Sequence, residues 1–261
     1  MEFLEKLKER IDNKAKAIEL SSFSYFIECA NLKIHYVTIE NFNLITYKAV
    51  LKQLFINHNF FINVFEDQFK IHPEKIMDRL EYKYGKSQRI HGRNTTIRKI
   101  DKPTALSFLE SNHGNIALKT KYNYALSNKK GKLVAIACFG QVINMRSGAK
   151  SSELIRFCNL SGSRVVGGLT KLIHHFKKKH NLDELMTYCD LDWSDGSNFK
   201  KLNFNEIGPY NPTKFVINIK TWERTPAVKF HKEHNKTQLN LKDYKTVENL
   251  GSIKFIKYFN D

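Results

Sequence analysis

The segment from residue 164 to 190 constrains the fold of this chain more than any other. Arg164-Val165-Val166-Gly167-Gly168 leads into a stretch where Leu169, Leu172, Ile173 and Phe176 recur at three- and four-residue steps. That spacing puts apolar side chains on one helix face. It predicts a helix over 168–180, a polar turn at Asn181, and a buried-type strand over 184–189 ending at Asp190. A glycine loop, a helix and a strand in this order commit the region to an α/β arrangement. Glycines at a helix start let backbone N–H groups approach an anion, which the helix dipole favours. A double glycine at this place more often serves close packing.

The flanking sequence extends the pattern. Residues 122–126 and 133–139 read as strands joined by the hairpin-turn sequence Asn128-Lys129-Lys130-Gly131, and 153–158 as a third strand. Pro103 opens a short helix over 104–110, followed by the turn-like Ser111-Asn112-His113-Gly114. Pro73 fits the first turn of a helix that stops at Gly85. Between Ser87 and Lys102, the residues Arg89, His91, Arg93, Arg98 and Lys99 interleave with Ile90, Ile97 and Ile100. This alternation predicts strands with one basic face, either tracking phosphates or forming a solvated edge. Leu4, Leu7, Ile11, Ala15 and Ile18 predict a helix over 1–20; 34–39 reads as a strand and 47–56 as a helix.

Of 261 residues, 41% are hydrophobic and 12% aromatic, with 5 Pro and 12 Gly, as in a folded chain. Lys plus Arg number 43 against 26 Asp plus Glu, a net charge of +17, which points to a polyanionic partner. Nucleic acid fits best, and a membrane is not expected: no apolar run is long enough to span one, and Met1-Glu2-Phe3-Leu4-Glu5-Lys6 leads into a polar helix rather than a secretory leader. A coding bias that loads Lys, Asn, Ile and Phe gives the same excess. The four cysteines, Cys29, Cys138, Cys158 and Cys189, form no CxxC pair and read as reduced, buried thiols of a cytosol-like compartment. No metal site is expected, because none of the ten histidines has ligand spacing to another ligand type.

Taken in order, the two antiparallel strands, the third strand, the glycine loop with its helix, the following strand and the segment Ser197-Asn198-Phe199-Lys200-Lys201-Leu202-Asn203-Phe204 resemble the GNAT superfamily of N-acyltransferases. The unit begins at about Leu118, and the strand 215–219 stands where the family closes its sheet. The resemblance implies an α/β (α+β) fold: a mixed, mostly antiparallel sheet flanked by helices, with an N-terminal helical/β extension. It implies an extension of unknown role over 1–60, a GNAT-like domain over 61–220, and a basic segment over 221–261 packed on it. The pieces NVFEDQFKIHPEKIMDRL, SNHG, LIRFCN, VVGGLTKLIHHF, YCDLDWSDGSNFKKLNF and NLGSIKFIKYFND also resemble a narrower group. These are phage Mom-like adenine-modifying proteins and GNAT-like regions attached to phage homing endonucleases. The implied protein is phage-encoded and cytoplasmic in a bacterial host. It either modifies an adenine amine of DNA or is a catalytically silent DNA- or RNA-binding subunit of a larger assembly with a protein partner.

The resemblance carries Arg164, Val166, Gly167, Gly168, Leu169 and Thr170 over as the loop for the pyrophosphate of acetyl-CoA or another acyl donor. Leu169 stands where the family has a small residue, and Phe199 where many members have a proton-donating tyrosine. Tyr188 and Tyr210 are alternative donors or ordinary aromatics. Asp190, at the carboxyl end of a buried strand, orients or deprotonates an amine, or else caps a turn with Asp192, Ser194 and Asp195. Asn112 and His113 read as substrate contact and base, or as a turn-stabilising pair. Arg156, between Ile155 and Phe157, requires a carboxylate partner such as Asp190. Arg89, Arg93, Arg98, Lys171, Lys200, Lys201, Arg224, Lys229, Lys232 and Lys236 are candidate phosphate contacts, and Trp193 and Trp222 either stack on bases or pack in the core.

Overall fold

The glycine loop, helix and strand read from the sequence lie within a larger mixed sheet in the computed structural model, which describes residues 1–114, 120–234 and 241–259. Leu118 and Lys236 lie outside the described residues. Two compact units interleave along the chain. The first comprises Met1–Leu80, Asp190–Asp195 and Pro209–Ser252; the second comprises Glu81–Cys189, Gly196–Gly208 and Ile253–Asp261.

The first unit opens with α1 (Glu2–Arg10), β1 (Lys16–Ser21), β2 (Ser24–Cys29), β3 (Leu32–Val37), α2 (Leu44–Asn57), β4 (Ile62–Phe65), α3 (Glu66–Ile71) and α4 (Pro73–Tyr84). Strands β1 to β4 form one sheet in chain order, antiparallel until β4, which runs parallel to β3. A parallel neighbour needs a crossover, and α2 supplies it. The helix expected over 1–20 ends at Arg10. Asp12 turns the chain by accepting the N–H of Lys14 at 3.0 Å, and Ile18 then pairs opposite Phe26 on the edge strand. Helical spacing persisted there by coincidence across a break.

The second unit contains β5 (Gln88–His91), β6 (Thr96–Lys99), α5 (Lys102–Asn112), β7 (Tyr122–Ser127), β8 (Leu133–Phe139), β9 (Ile143–Asn144), β10 (Lys150–Asn159), β11 (Ser163–Val166), α6 (Gly168–His180), β12 (Glu184–Asp190), α7 (Ser197–Lys200) and β13 (Asn205–Tyr210). The chain then gives the first unit β14 (Lys214–Asn218), β15 (Arg224–Pro226), α8 (Ala227–His234) and β16 (Tyr244–Glu248), and returns to the second with β17 (Ser252–Tyr258). The large sheet has the order β13-β17-β12-β10-β8-β7-β6, with β9 beside β10. Leu172, Ile173 and Phe176 of α6 pack on one face against Leu126, Ala137, Phe139 and Leu185. Ala105, Phe108 and Leu109 of α5 pack on the other against Ala125, Ile136 and Cys138. The fold is therefore mixed α/β, rich in antiparallel pairs and flanked by helices. All four cysteines are buried free thiols, and no helix among the described residues is long and apolar enough to cross a membrane.

The strand at 215–219 does not close the large sheet. It is β14, the centre of the three-stranded sheet β15-β14-β16, where Ile217 is buried with Phe65 and Val247. β17 takes the expected place instead. Its Phe255 is held against Gly196, whose φ is +78° and where an added Cβ would lie 2.5 Å from the ring. Gly196→Ala is thus expected to destabilise the second unit by about 2–4 kcal/mol, combining left-handed backbone strain with overpacking. Urea unfolding measures it, and a loss below about 1 kcal/mol would contradict the packing described.

Candidate active site

β10 and β12 are a parallel pair of the large sheet, in register from Ser151↔Glu184 to Leu154↔Thr187, and Thr187 Oγ1 donates to the Leu154 carbonyl at 2.9 Å. Past that point the register ends while both strands continue, β10 to Asn159 and β12 beyond Thr187. On its other side, β10 pairs Leu154 with Phe139 and then Arg156 with Cys138, so Ile155 is an inserted bulge residue. A bulge re-aims the side chains that follow it. Without one, Glu153 and Arg156 would face opposite sides of the strand; with it, both face the α5 side of the sheet.

Two charged side chains therefore meet beside the parted strands. Burial raises the Glu153 carboxyl above the ordinary carboxylate range, and the positive charges of Arg156 and then Lys254 pull it back. Arg156 donates through Nη1 to the Ile155 carbonyl at 2.8 Å, holding the bulge. The charge of Arg156 thus acts on the Glu153 carboxyl, a carboxylate that the sequence did not single out. Tyr188, two residues past Met186 on the face that Glu153 shares, is 36% exposed. Cys138, opposite Arg156, has its thiol pushed up to about 11, mainly by burial. Such a thiol is protonated and inert at neutral pH. Next to it in the sheet, Asn123 accepts a hydrogen bond from Thr120 Oγ1.

The glycine loop divides into two functions. Gly167 caps α6 in the left-handed region at φ +74°, and an added Cβ there would meet nothing within 4 Å. At Gly168 the same atom would lie 2.8 Å from Val165 Cγ1 and 3.0 Å from Leu126 Cδ1, so this glycine serves close packing. Leu169 is half-buried against the core, whereas Val166 and Thr170 are exposed. Arg164 lies on β11, its guanidinium 5.7 Å from the Tyr82 ring centroid. Lys171 is engaged with backbone, its Nζ donating to the carbonyls of Gly92, at 2.9 Å, and of Thr95. Phe199 packs on Phe204 and Phe255.

Other residues singled out in the sequence are placed elsewhere. Asn112 ends α5, accepting the Ser161 N–H at 2.9 Å and donating to the Phe108 carbonyl, so the turn-stabilising alternative describes it; His113 is the C-cap of that helix. Asp190 belongs to the first unit, where its side chain accepts the Asp192 N–H at 3.1 Å and its carbonyl accepts those of Trp193 and Ser194. Trp193 is 2% exposed beneath the Arg79 guanidinium, 3.9 Å from the ring centroid, which leaves no face for a base. Trp222 packs against the first unit's core. Arg224 forms a buried ion pair with Asp67. Lys200 pairs with Glu206 and Lys229 with Glu233, while Arg89, Arg93, Arg98, Lys201 and Lys232 are exposed.

Two features were not anticipated. Glu153 was hidden because the strand period separates it from Arg156 until the bulge joins them. In the first unit His35, Asn63 and Asp192 form a buried chain: His35 Nδ1 lies 2.9 Å from Asn63 Oδ1, and Asn63 Nδ2 donates to Asp192 Oδ1 at 3.0 Å. Leu250 N–H donates to the same oxygen at 2.9 Å.

No protein-family model and no curated protein matches the chain. Among solved structures it is similar to a histone acetyltransferase-related acetyltransferase from Corynebacterium glutamicum, at 9% identity and TM-score 0.40, over 64% of this chain and 98% of that one. A spermidine/spermine N-acetyltransferase from Vibrio cholerae matches at 8% identity and TM-score 0.40, over 64% and 94% of the two chains. An acetyltransferase from Bacillus subtilis, solved with CoA, matches at 9% identity and TM-score 0.37, over 64% and 99%.

Proposed function

We propose that the second unit transfers an acyl group to an amine of a nucleic acid, the exocyclic amine of adenine in phage DNA being the target that the sequence resemblance suggests. The observation that carries this reading is the parted β10–β12 pair with Glu153, Arg156 and Tyr188 on one face beside the opening. A half-buried carboxyl held above its ordinary range is suited to take the proton of an attacking amine. Glu153 is that base. Arg156 balances the carboxylate and keeps the bulge in place. Tyr188 is the phenol on the same side that returns a proton to the leaving group, a task that Phe199 cannot perform. A coenzyme A thioester would supply the activated carbonyl, its carbon–sulfur bond breaking as the new amide bond forms. The uncapped first turn of α6 after Gly167 is suited to its phosphates. The net charge of +17 supports a polyanionic acceptor.

A second reading is favoured by Phe199 and Leu169, which depart from the family pattern: a silent nucleic-acid-binding subunit of a larger assembly. One assay separates them. Oligonucleotides incubated with the protein and labelled acyl-CoA, then digested to nucleosides and weighed by mass spectrometry, are expected to show an acyl adduct. Glu153→Gln should reduce its formation by roughly 100-fold or more. Binding without any adduct from the native protein selects the second reading.

A further inference from the structure

Resting on the nucleic-acid reading, we propose that Arg89 and Arg164 form a paired guanidinium clamp on the nucleic-acid backbone. β5 and β11 run parallel with Arg164 and Arg89 as Cα partners. In-register partners of a parallel pair project from the same face, on strands about 4.8 Å apart. Their neighbours Ile90 and Val165 pack into the core, so the arginines face outward, and both are exposed. Neither guanidinium has a carboxylate partner among the described residues.

Like charges set directly opposite one another are destabilising unless an anion lies between them. The backbone offers them little relief. Gly92 packs so tightly on β11 that an added Cβ would lie 2.9 Å from the Val166 carbonyl oxygen, and Lys171 ties the 92–95 loop to α6. Two guanidinium forks on adjacent, backbone-constrained strands, that of Arg164 lying 5.7 Å from the Tyr82 ring centroid, present the donor pattern that phosphate oxygens accept bidentately. The outward face continues through the exposed partners His91 and Val166 to the exposed Arg93. An open strip of this kind suits a polymer better than a small free anion. Arg164 is thereby assigned to the nucleic acid, and not to the acyl donor.

The test is fluorescence anisotropy with short labelled single-stranded and duplex oligonucleotides, without acyl donor, from about 50 to 200 mM salt. An Arg89→Gln/Arg164→Gln variant is expected to bind roughly tenfold or more weakly, with the slope of log affinity against log salt reduced by about 1–2. The charge-matched Lys129→Gln/Lys130→Gln variant, in the exposed hairpin turn, should bind like the native protein. If the arginine variant keeps native affinity and slope, or the lysine variant loses as much, the clamp is refuted while the nucleic-acid reading stands. Absence of salt-dependent binding by the native protein overturns both. Loss of coenzyme A binding with oligonucleotide binding intact would give the arginines to the donor and also refute the clamp.

Discussion

Arg224→Met is expected to destabilise the first unit by about 3–5 kcal/mol, the usual consequence of leaving one partner of a buried ion pair behind. Arg224 Nε donates to Asp67 Oδ2 at 2.7 Å and Nη2 to Oδ1 at 2.9 Å, and the two side chains are only 16% and 2% exposed. The guanidinium also lies over the rings of Phe65 and Phe215, at 4.8 and 5.0 Å. Methionine fills similar space but leaves the Asp67 carboxylate buried with no fork to meet it. An Asp67→Asn/Arg224→Met protein should recover much of the loss, since the stranded charge is gone. Thermal and urea unfolding of the three proteins give the comparison, and equal stability of native and Arg224→Met proteins would refute it. Oligonucleotide affinity per folded molecule should stay unchanged, because this arginine faces a carboxylate.

The second large effect concerns pH. Asp192 is fully buried, and its carboxyl is pushed up to about 7, first by burial and then by the charge of Asp190; the Leu250 N–H, the Asn63 amide and Arg224 pull the other way. His35 is driven down to about 4 by burial, opposed by its hydrogen bond to Asn63. Between about pH 4 and 6.5 the folded chain keeps a proton on Asp192 that the unfolded chain has released, and lacks one on His35 that the unfolded chain still holds. The proton counts match, so this cluster makes stability nearly flat across that window. Asp192→Asn removes the first contribution. Stability should then rise from pH 4 to 6.5, by on the order of 3 kcal/mol. His35→Gln removes the second, and stability should fall from about pH 4 to 7 by on the order of 4 kcal/mol. Urea midpoints across the range read both slopes; slopes of the same sign in the two variants would rule out the coupling.

Elements held by local sequence alone were legible before the structure. The helix over 168–180 has the predicted bounds because its apolar stripe lies within one local stretch of sequence, with the Gly167 cap directly before it and the Asn181 cap directly after. The strands at 122–126 and 133–139 were legible for the same reason, with turn residues between them. What escaped depends on partners distant in sequence. The bulge at Ile155 exists only against β8, so the meeting of Glu153 with Arg156 has no signature in a strand of period two. Asp192, Asn63 and His35 come from three separate regions, and each alone reads as an ordinary polar residue. Arg224 read as a phosphate contact because basic residues mark nucleic-acid surfaces, and Trp193 stood open between base stacking and core packing; a buried carboxylate accounts for the first, and burial beneath a guanidinium decides the second.

The position of β17 sets a limit on when this chain can finish folding. Ser252–Tyr258 lies between β13 and β12, so the large sheet cannot join its outermost strand until residue 258 has emerged from the ribosome. Until then β12 presents an unsatisfied edge to the crowded surroundings of a nascent chain, where stray strand pairing starts. Such late closure over long sequence separations is slow. A copy cut short before residue 252 would thus be a substrate for chaperones and proteases, with its sheet left open.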